Sequence, residues 1–174
     1  ECYNVVDDCE YCTDVFASRK DNKPTKKVLF WNSRNARRKQ SGTLGGWFKE
    51  WLDKVGHNKA CLGMHTDARD PNGQDLPHLI EHLGVNDGQI LLSTQKVPPE
   101  DLATMYNLAD FTINISDAEG FGLAPLESLS CGTPILVNMT GGLQEQSTTG
   151  QNWFAYGLKP NSKKDIDQTH VPTI

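Results

Sequence analysis

The sequence lacks any apolar run approaching the roughly 20 residues that a membrane-spanning helix requires. It also lacks an excess of basic residues, because 17 lysines and arginines stand against 22 aspartates and glutamates, giving a net charge of −5. General binders of nucleic acid or of anionic membranes need the opposite balance. These shortages argue against both classes, so any phosphate site must be a local cluster of cations.

A signal peptide and a cysteine framework are also missing. Residues 1–4 show no positive region followed by an apolar stretch. Of the five cysteines, Cys61 and Cys131 lie in apolar stretches, where a reduced thiol packs like a small hydrophobe. The pair Cys9 and Cys12 has no second pair at zinc-finger spacing. We therefore expect a cytoplasmic protein with reduced thiols and no metal site.

What is present is an alternation of strands and helices in a chain of 174 residues, the size of one domain. Residues 1–27 are polar without periodicity and are expected to be a linker or leading arm, whereas residues 28–174 form the domain. Strands are predicted at 28–32, 60–64, 90–92, 111–115 and 134–137, and helices at 44–55, 76–83, 98–106 and from about 125 to 131. Strands separated by helices predict a Rossmann-like, three-layer α/β/α domain with a mainly parallel sheet.

Other segments give weaker signals. Residues 66–74, rich in Asp, Asn, Gly and Pro, predict a surface loop, and residues 159–174 look irregular. His78 and His82 fit a His-x-x-Glu-His zinc pattern, but no third ligand is apparent, so exposed helix histidines are preferred.

The most informative segment carries two glutamates, Glu119 and Glu127, around a glycine-rich turn. Glu119 follows the predicted strand 111–115, at the edge where open α/β sheets bind ligands. Glu127 lies about one turn into the next helix, so both carboxylates can face one bound molecule. The backbone N–H groups of residues 120–123 would suit an anion at that helix start. A turn that binds nothing would explain Gly120 and Gly122 equally well.

A basic segment follows the first predicted strand and reaches the same edge of the sheet. It contains Arg34, Arg37, Arg38 and Lys39. Guanidinium groups bind phosphate oxygens bidentately, and a lysine adds a compact charge. On composition alone, a solvated basic loop is the more common reading.

Taken together, these motifs resemble those of retaining, metal-independent glycosyltransferases of the GT-B architecture, the glycosyl transferases group 1 type. Glu-x7-Glu encloses Gly-Phe-Gly-Leu and precedes Cys-Gly-Thr-Pro-Ile, Arg34 and Lys39 have the Arg-x4-Lys spacing, and residues 140–145 are similar to Gly-Gly-x-x-Glu. The resemblance runs from about Val28 to Trp153. It implies the carboxyl-terminal, donor-binding half of a GT-B enzyme, with the amino-terminal Rossmann domain not present in the chain.

The resemblance also implies a role for each matching residue. Arg34 and Lys39 would clamp the donor diphosphate, Glu127 would accept hydrogen bonds from the donor ribose, and Glu119 would position the donor sugar; Arg34, Lys39 and Glu119 form the implied catalytic set. The implied contacts to the rest of the donor come from Gly120, Phe121, Gly122, Leu123, Gly141, Gly142 and, near the base, Val97.

The implied reaction moves a sugar from a nucleoside diphosphate to the hydroxyl of an unidentified acceptor, without a cofactor or metal. Full activity would need the amino-terminal domain, and neither nucleic acid nor a membrane span is implied. The alternatives are a non-catalytic nucleotide-binding module of the same fold and a domain used only for protein contacts.

Overall fold

The computed structural model describes residues 26–149, 152–153, 155–158, 162–166 and 169–173. The predicted arm is therefore almost entirely outside the described residues, as are Cys9 and Cys12. Within them, strands and helices alternate as β1 (Lys27–Asn32), α1 (Ser41–Val55), β2 (Ala60–His65), α2 (Leu76–Leu83), β3 (Ile90–Ser93), α3 (Pro99–Leu108), β4 (Phe111–Asn114), α4 (Leu123–Ser130), β5 (Ile135–Asn138) and α5 (Gly142–Ser147). Short strands follow at β6 (Thr148–Thr149), β7 (Asn152–Trp153), β8 (Ala155–Leu158), β9 (Ser162–Ile166) and β10 (Thr169–Thr173).

Six strands form one parallel sheet in the order β3-β2-β1-β4-β5-β8. The first described strand, β1, thus lies in the middle of the sheet. The chain continues outward through β2 and β3 and then crosses back to β4 beside β1. This confirms the predicted Rossmann-like α/β class. The reversal of direction between β1 and β4 is where such sheets open a crevice for ligands at their carboxyl edge.

Apolar side chains pack on both faces of the sheet, which gives three layers. Neighbouring residues of β1 point to opposite faces, so Trp31 joins a core with α1 and α2 that includes Leu52 and Ile80. Phe30 joins a second cluster with Tyr106 of α3, and the two rings meet edge to face at 5.1 Å. A third cluster of Ile135, Val137 and Leu143 lies where α5 covers β5.

Helix α2 spans the predicted residues 76–83, and both of its ends are capped. The Asp75 side chain accepts a hydrogen bond from the His78 N–H at 3.2 Å, and Gly84 ends the helix with a φ of 67°. A carboxylate at the start and a left-handed glycine at the end satisfy free backbone groups. His78 and His82 lie exposed on this helix, as preferred from the sequence. Among the described residues, no helix has the length and apolar character to cross a membrane.

One expectation was wrong, a second holds only in part, and burial in β4 does not follow the polarity of its residues. Residues 162–166 and 169–173 pair as an antiparallel hairpin, although irregular structure was expected there. The segment 66–74 is only partly a surface loop, because Thr66, Ala68 and Asp70 are buried. In β4, the polar Thr112 and Asn114 are buried while Phe111 is 41% exposed. Helices cover both faces of a parallel sheet, so alternation along a strand does not select the buried positions.

Candidate functional site

The basic loop after β1 is held in place by a buried asparagine. The Asn35 amide donates to the Gln74 carbonyl at 2.6 Å, and its Oδ1 accepts from the Ser41 hydroxyl at 2.7 Å. Asn35 is completely buried, and a Cβ on Gly73 would stand only 2.1 Å from its carbonyl oxygen. A fully satisfied amide of this kind fixes two loops against each other. The loop 33–40 is thus pressed onto the loop that follows β2.

Lys39 and Glu119 meet across 80 residues of sequence as a nearly buried ion pair. The Lys39 ammonium donates to Glu119 Oε2, and the two side chains are only 10% and 11% exposed. Arg38 adds a second cation, since its Nη1 lies 3.7 Å from the same carboxylate oxygen and donates to the Ala118 carbonyl at 2.7 Å. The structure thus brings together two residues that the sequence assigned to one site, and it gives Arg38 contacts that a purely solvent-facing residue would lack.

Further hydrogen bonds bind the loop after β1 to the loop after β4. The Gln40 side chain donates to Asp117 at 2.5 Å, and the Asp117 N–H donates to the Arg38 carbonyl at 2.9 Å. Gln40 has a φ of 59°. Among the described residues, it is the only one other than glycine in the left-handed region. Such a conformation costs free energy and persists where surrounding contacts impose it. These bonds aim Lys39 at Glu119.

Arg34 lies elsewhere in the same loop and contacts a different carboxylate. Its Nε donates to Asp70 Oδ2 at 2.6 Å and its Nη2 to Oδ1 at 3.3 Å, a bidentate pair. The Arg34 hydrogen bond, followed by one from the Asn72 N–H, holds the pKa of Asp70 well below its usual range. The Arg34 side chain is 64% exposed, so its guanidinium is oriented by Asp70 and the side chain is open to solvent. Asp70 is a site residue that sequence reasoning missed.

The glycine-rich turn presents free backbone donors. Among the described residues, the N–H groups of Gly120, Phe121, Gly122 and Leu123 have no hydrogen-bond acceptor. They stand at the start of α4, where the helix dipole favours negative charge. The side chains of Phe121 and Leu123 are 56% and 67% exposed. This turn therefore presents free backbone donors at the place where the sequence suggested an anion site.

Gly141 and Gly142 pack directly on the backbone of that turn. A Cβ on Gly141 would lie 1.8 Å from the Glu119 carbonyl oxygen, and one on Gly142 would lie 2.4 Å from the Gly120 carbonyl oxygen. The Gly142 N–H donates to both carbonyls at 3.1 Å. These two glycines are required by close backbone approach, which shapes the segment carrying Glu119.

Glu127 is held from the opposite side by an aromatic hydroxyl. Tyr106 of α3 donates to Glu127 Oε2 at 2.7 Å, and the Asn32 amide at the end of β1 donates to the Tyr106 hydroxyl at 2.8 Å. Neither Tyr106 nor Asn32 was predicted to belong to the site. Asn32 ends a strand at the ligand-binding edge, which is a usable signal, whereas Tyr106 is one apolar-face residue of a helix.

His65 and Ser93, the last residues of β2 and β3, form a hydrogen-bonded pair at the same edge of the sheet. His65 Nδ1 is 2.6 Å from the Ser93 hydroxyl, and burial lowers the pKa of His65. Val97, predicted to contact a nucleotide base, lies half-buried in the segment between β3 and α3. The charged groups and Val97 thus occupy different parts of one sheet edge.

The sequence is similar to a known protein family and to several named proteins. The family model for glycosyl transferases group 1 matches residues 63–168. D-inositol 3-phosphate glycosyltransferases from Corynebacterium jeikeium and Acidothermus cellulolyticus are 32% identical over 120 residues and 35% identical over 91 residues. These matches cover 67% and 52% of this chain, but only 28% and 20% of the relatives. The chain thus spans less than a third of the length of these relatives.

Solved structures show the same fold. Sucrose-phosphate synthase from Thermosynechococcus elongatus superposes with a TM-score of 0.64 at 23% identity, covering 84% of this chain and 36% of that protein. HepE from Anabaena, solved in complex with UDP and glucose, gives a TM-score of 0.62 at 18% identity, covering 85% of this chain and 39% of HepE. At these identities the likeness concerns the fold alone.

Proposed function

The chain belongs to the glycosyl transferases group 1 family, and we propose that its described domain binds the nucleoside diphosphate sugar donor of a retaining glycosyltransferase. The observation that carries this proposal is the meeting of Lys39, Glu119 and the free N–H groups of residues 120–123 at one edge of the sheet. The ligand has phosphates at one end and sugar hydroxyls at the other. Cations and backbone N–H donors suit its phosphates, and the carboxylate suits its sugar hydroxyls.

The diphosphate would lie between the basic loop and the start of α4. Lys39, Arg38 and Arg34 supply positive charge, and the backbone donors of the turn bind phosphate oxygens. When the bond between the sugar and the diphosphate breaks, negative charge develops on the departing oxygen, and these preorganised groups stabilise it. In this proposal the protein cations do the work that a divalent metal does elsewhere, so donor binding is independent of metal.

Glu119 would position the donor sugar without attacking it. One of its carboxylate oxygens is already bound to Lys39, which restrains the group as a nucleophile and favours a role in accepting hydrogen bonds from sugar hydroxyls. The acceptor oxygen then bonds to the anomeric carbon on the face from which the diphosphate leaves. Because the new bond forms on that face, the configuration of the anomeric carbon is retained, and the acceptor hydroxyl proton passes to the departing diphosphate oxygen.

The donor base would contact the segment around Val97, and Glu127 would accept hydrogen bonds from the ribose hydroxyls. The acceptor pocket belongs in this proposal to a second Rossmann domain, as the length of the relatives supports. HepE, which shares the fold, was solved with UDP and with UDP-glucose. Uridine nucleotides are therefore the first probes to use.

The test is to titrate the chain with UDP, GDP and ADP, each with magnesium and with EDTA. Binding is measured first by the melting temperature and then by calorimetry. A ligand that binds only the folded state raises the melting temperature. We expect one of the nucleotides to bind equally well in EDTA, and UDP to bind better than UMP because the second phosphate meets the cations.

Matched variants locate the binding. Arg38→Ala should weaken UDP binding, whereas Arg37→Ala, at an exposed neighbour in the same short 3-10 helix (Arg37–Lys39), should not. The double variant Arg34→Ala, Lys39→Ala should lose diphosphate affinity. If the folded chain bound none of the three nucleotides, a protein-contact domain of the same fold would be the better description.

A further inference from the structure

Glu127, the proposed ribose ligand, is one end of a short hydrogen-bond chain that reaches through the second hydrophobic cluster. Asn32, Tyr106 and Glu127 lie on three different elements, β1, α3 and α4. Tyr106 is only 1% exposed, and its ring packs edge to face on Phe30. Its carbonyl also accepts from the Thr133 hydroxyl at 2.7 Å. The tyrosine is therefore held at its ring and at its backbone.

The direction of each hydrogen bond in this chain is determined by chemistry. The Asn32 Nδ2 group can only donate, so the Tyr106 oxygen accepts from it. The single phenolic proton of Tyr106 is then left for the carboxylate of Glu127, which accepts. Burial raises the pKa of Tyr106 well above its ordinary value, and the nearby Glu127 also raises it, so the hydroxyl keeps its proton at neutral pH.

This bond determines how the Glu127 carboxylate is turned. The terminal torsion of a glutamate is broad and roughly two-fold, so an unattached carboxylate rotates freely. With Oε2 bonded to Tyr106 at 2.7 Å, the carboxylate plane is set, and Oε1 has no hydrogen-bond partner in the described part of the chain. A vicinal diol such as that of ribose needs acceptor oxygens in a defined plane, and preorganisation reduces the entropy lost on binding.

We propose that Tyr106 is a positioning residue, which orients Glu127 to receive the ribose hydroxyls of the donor nucleotide through a hydrogen-bond chain that begins at Asn32. This inference rests on the proposed function. Tyr106 does not touch the nucleotide itself, so its removal should weaken only the part of binding that depends on the ribose hydroxyls.

The experiment measures that part directly, by comparing the dissociation constants of UDP and of 2′,3′-dideoxy-UDP in calorimetry. A hydrogen bond to a charged group is worth about tenfold or more in affinity, so the wild-type chain should prefer UDP by at least about tenfold. In Tyr106→Phe the preference should fall to about threefold or less, while the affinity for dideoxy-UDP stays the same. A tyrosine that only packs would lower both affinities together.

Ser128→Ala is the matched control. Ser128 is completely buried on the same helix as Glu127, and its hydroxyl donates to the Thr112 hydroxyl at 2.7 Å, so the variant also loses one buried hydroxyl. It should keep the wild-type preference for UDP. A preference unchanged in Tyr106→Phe, or reduced equally in Ser128→Ala, would overturn the positioning role.

Asn32→Ala provides a second test if Tyr106→Phe fails to fold, because it leaves the ring packing in place. It should reduce the preference for UDP less than the loss of the hydroxyl does, and an unchanged preference would then count against the proposal. Absence of nucleotide binding in the wild-type chain would instead overturn the proposed function, and this inference with it.

Discussion

Replacing Lys39 by methionine tests whether the buried ion pair organises the site. The substitution keeps most of the apolar volume and removes the charge that contacts Glu119. Breaking one side of a buried ion pair costs about 3–5 kcal/mol, because the remaining charge is left desolvated. Arg38 compensates part of this loss, since it lies 3.7 Å from the same oxygen. We therefore expect the free energy of unfolding to fall by about 3 kcal/mol.

The control for this prediction is Lys49→Met. Lys49 pairs with Asp53 one turn further along α1, but the side chains are 34% and 45% exposed. Exposed pairs at this spacing contribute only about 0.3–0.5 kcal/mol. Urea unfolding of both variants gives the two free energies directly. The double variant Lys39→Met, Glu119→Gln should recover part of the loss, because no unpaired charge remains. If Lys39→Met cost no more than Lys49→Met, the ion pair would not be an organising contact of the fold.

Three further outcomes follow from local geometry and charge. Gly141→Ala should destabilise the chain by about 2–3 kcal/mol more than Gly132→Ala, since both positions have a positive φ but only Gly141 is pressed against the Glu119 carbonyl; thermal unfolding compares them. Asp70→Asn should lower the melting temperature at neutral pH. The folded-state pKa of Asp70 is lowered, so this difference should shrink as the pH falls below the unfolded pKa of about 3.9. His65 also has a lowered pKa, so it contributes stability that is lost as the pH falls below about 6.5; melting temperatures of His65→Gln should depend less on pH in that range.

Local patterns in the sequence were sufficient to predict most of the alternating strands and helices. Helix α2 has the bounds that its apolar periodicity predicted, residues 76–83, and the structure shows a capping carboxylate and a left-handed glycine at its two ends. The other predicted strands and helices differ from the observed ones by a few residues at their ends. Helix α5 and the 3-10 turn at Arg37–Lys39 were not predicted, since both are short and neither has an apolar repeat.

The positions of the candidate residues at the edge of the sheet could be predicted, but the contacts between them could not. Spacing indicated that Lys39 and Glu119 lie at the same edge of a sheet, and both do. Their direct contact depends on β1 and β4 being neighbours, and the order of parallel strands cannot be derived from the order of the segments. Asp70 was missed for a different reason. Its only signal in the sequence is its position in a loop rich in polar residues.

The two glutamates of the motif are held by independent partners, which has a consequence for the whole site. Glu119 is bound by Lys39 from the loop after β1, whereas Glu127 is bound by Tyr106 from α3. No described residue bonds to both carboxylates, so the geometry at one end of the proposed donor does not depend on the partner at the other end. Sites without shared partners add within about 0.5 kcal/mol. The double variant Lys39→Met, Tyr106→Phe should thus lose the sum of the two single losses in unfolding free energy. A larger or smaller loss would show that the two carboxylates are coupled through the segment 119–127 that joins them, and that the site responds as one unit.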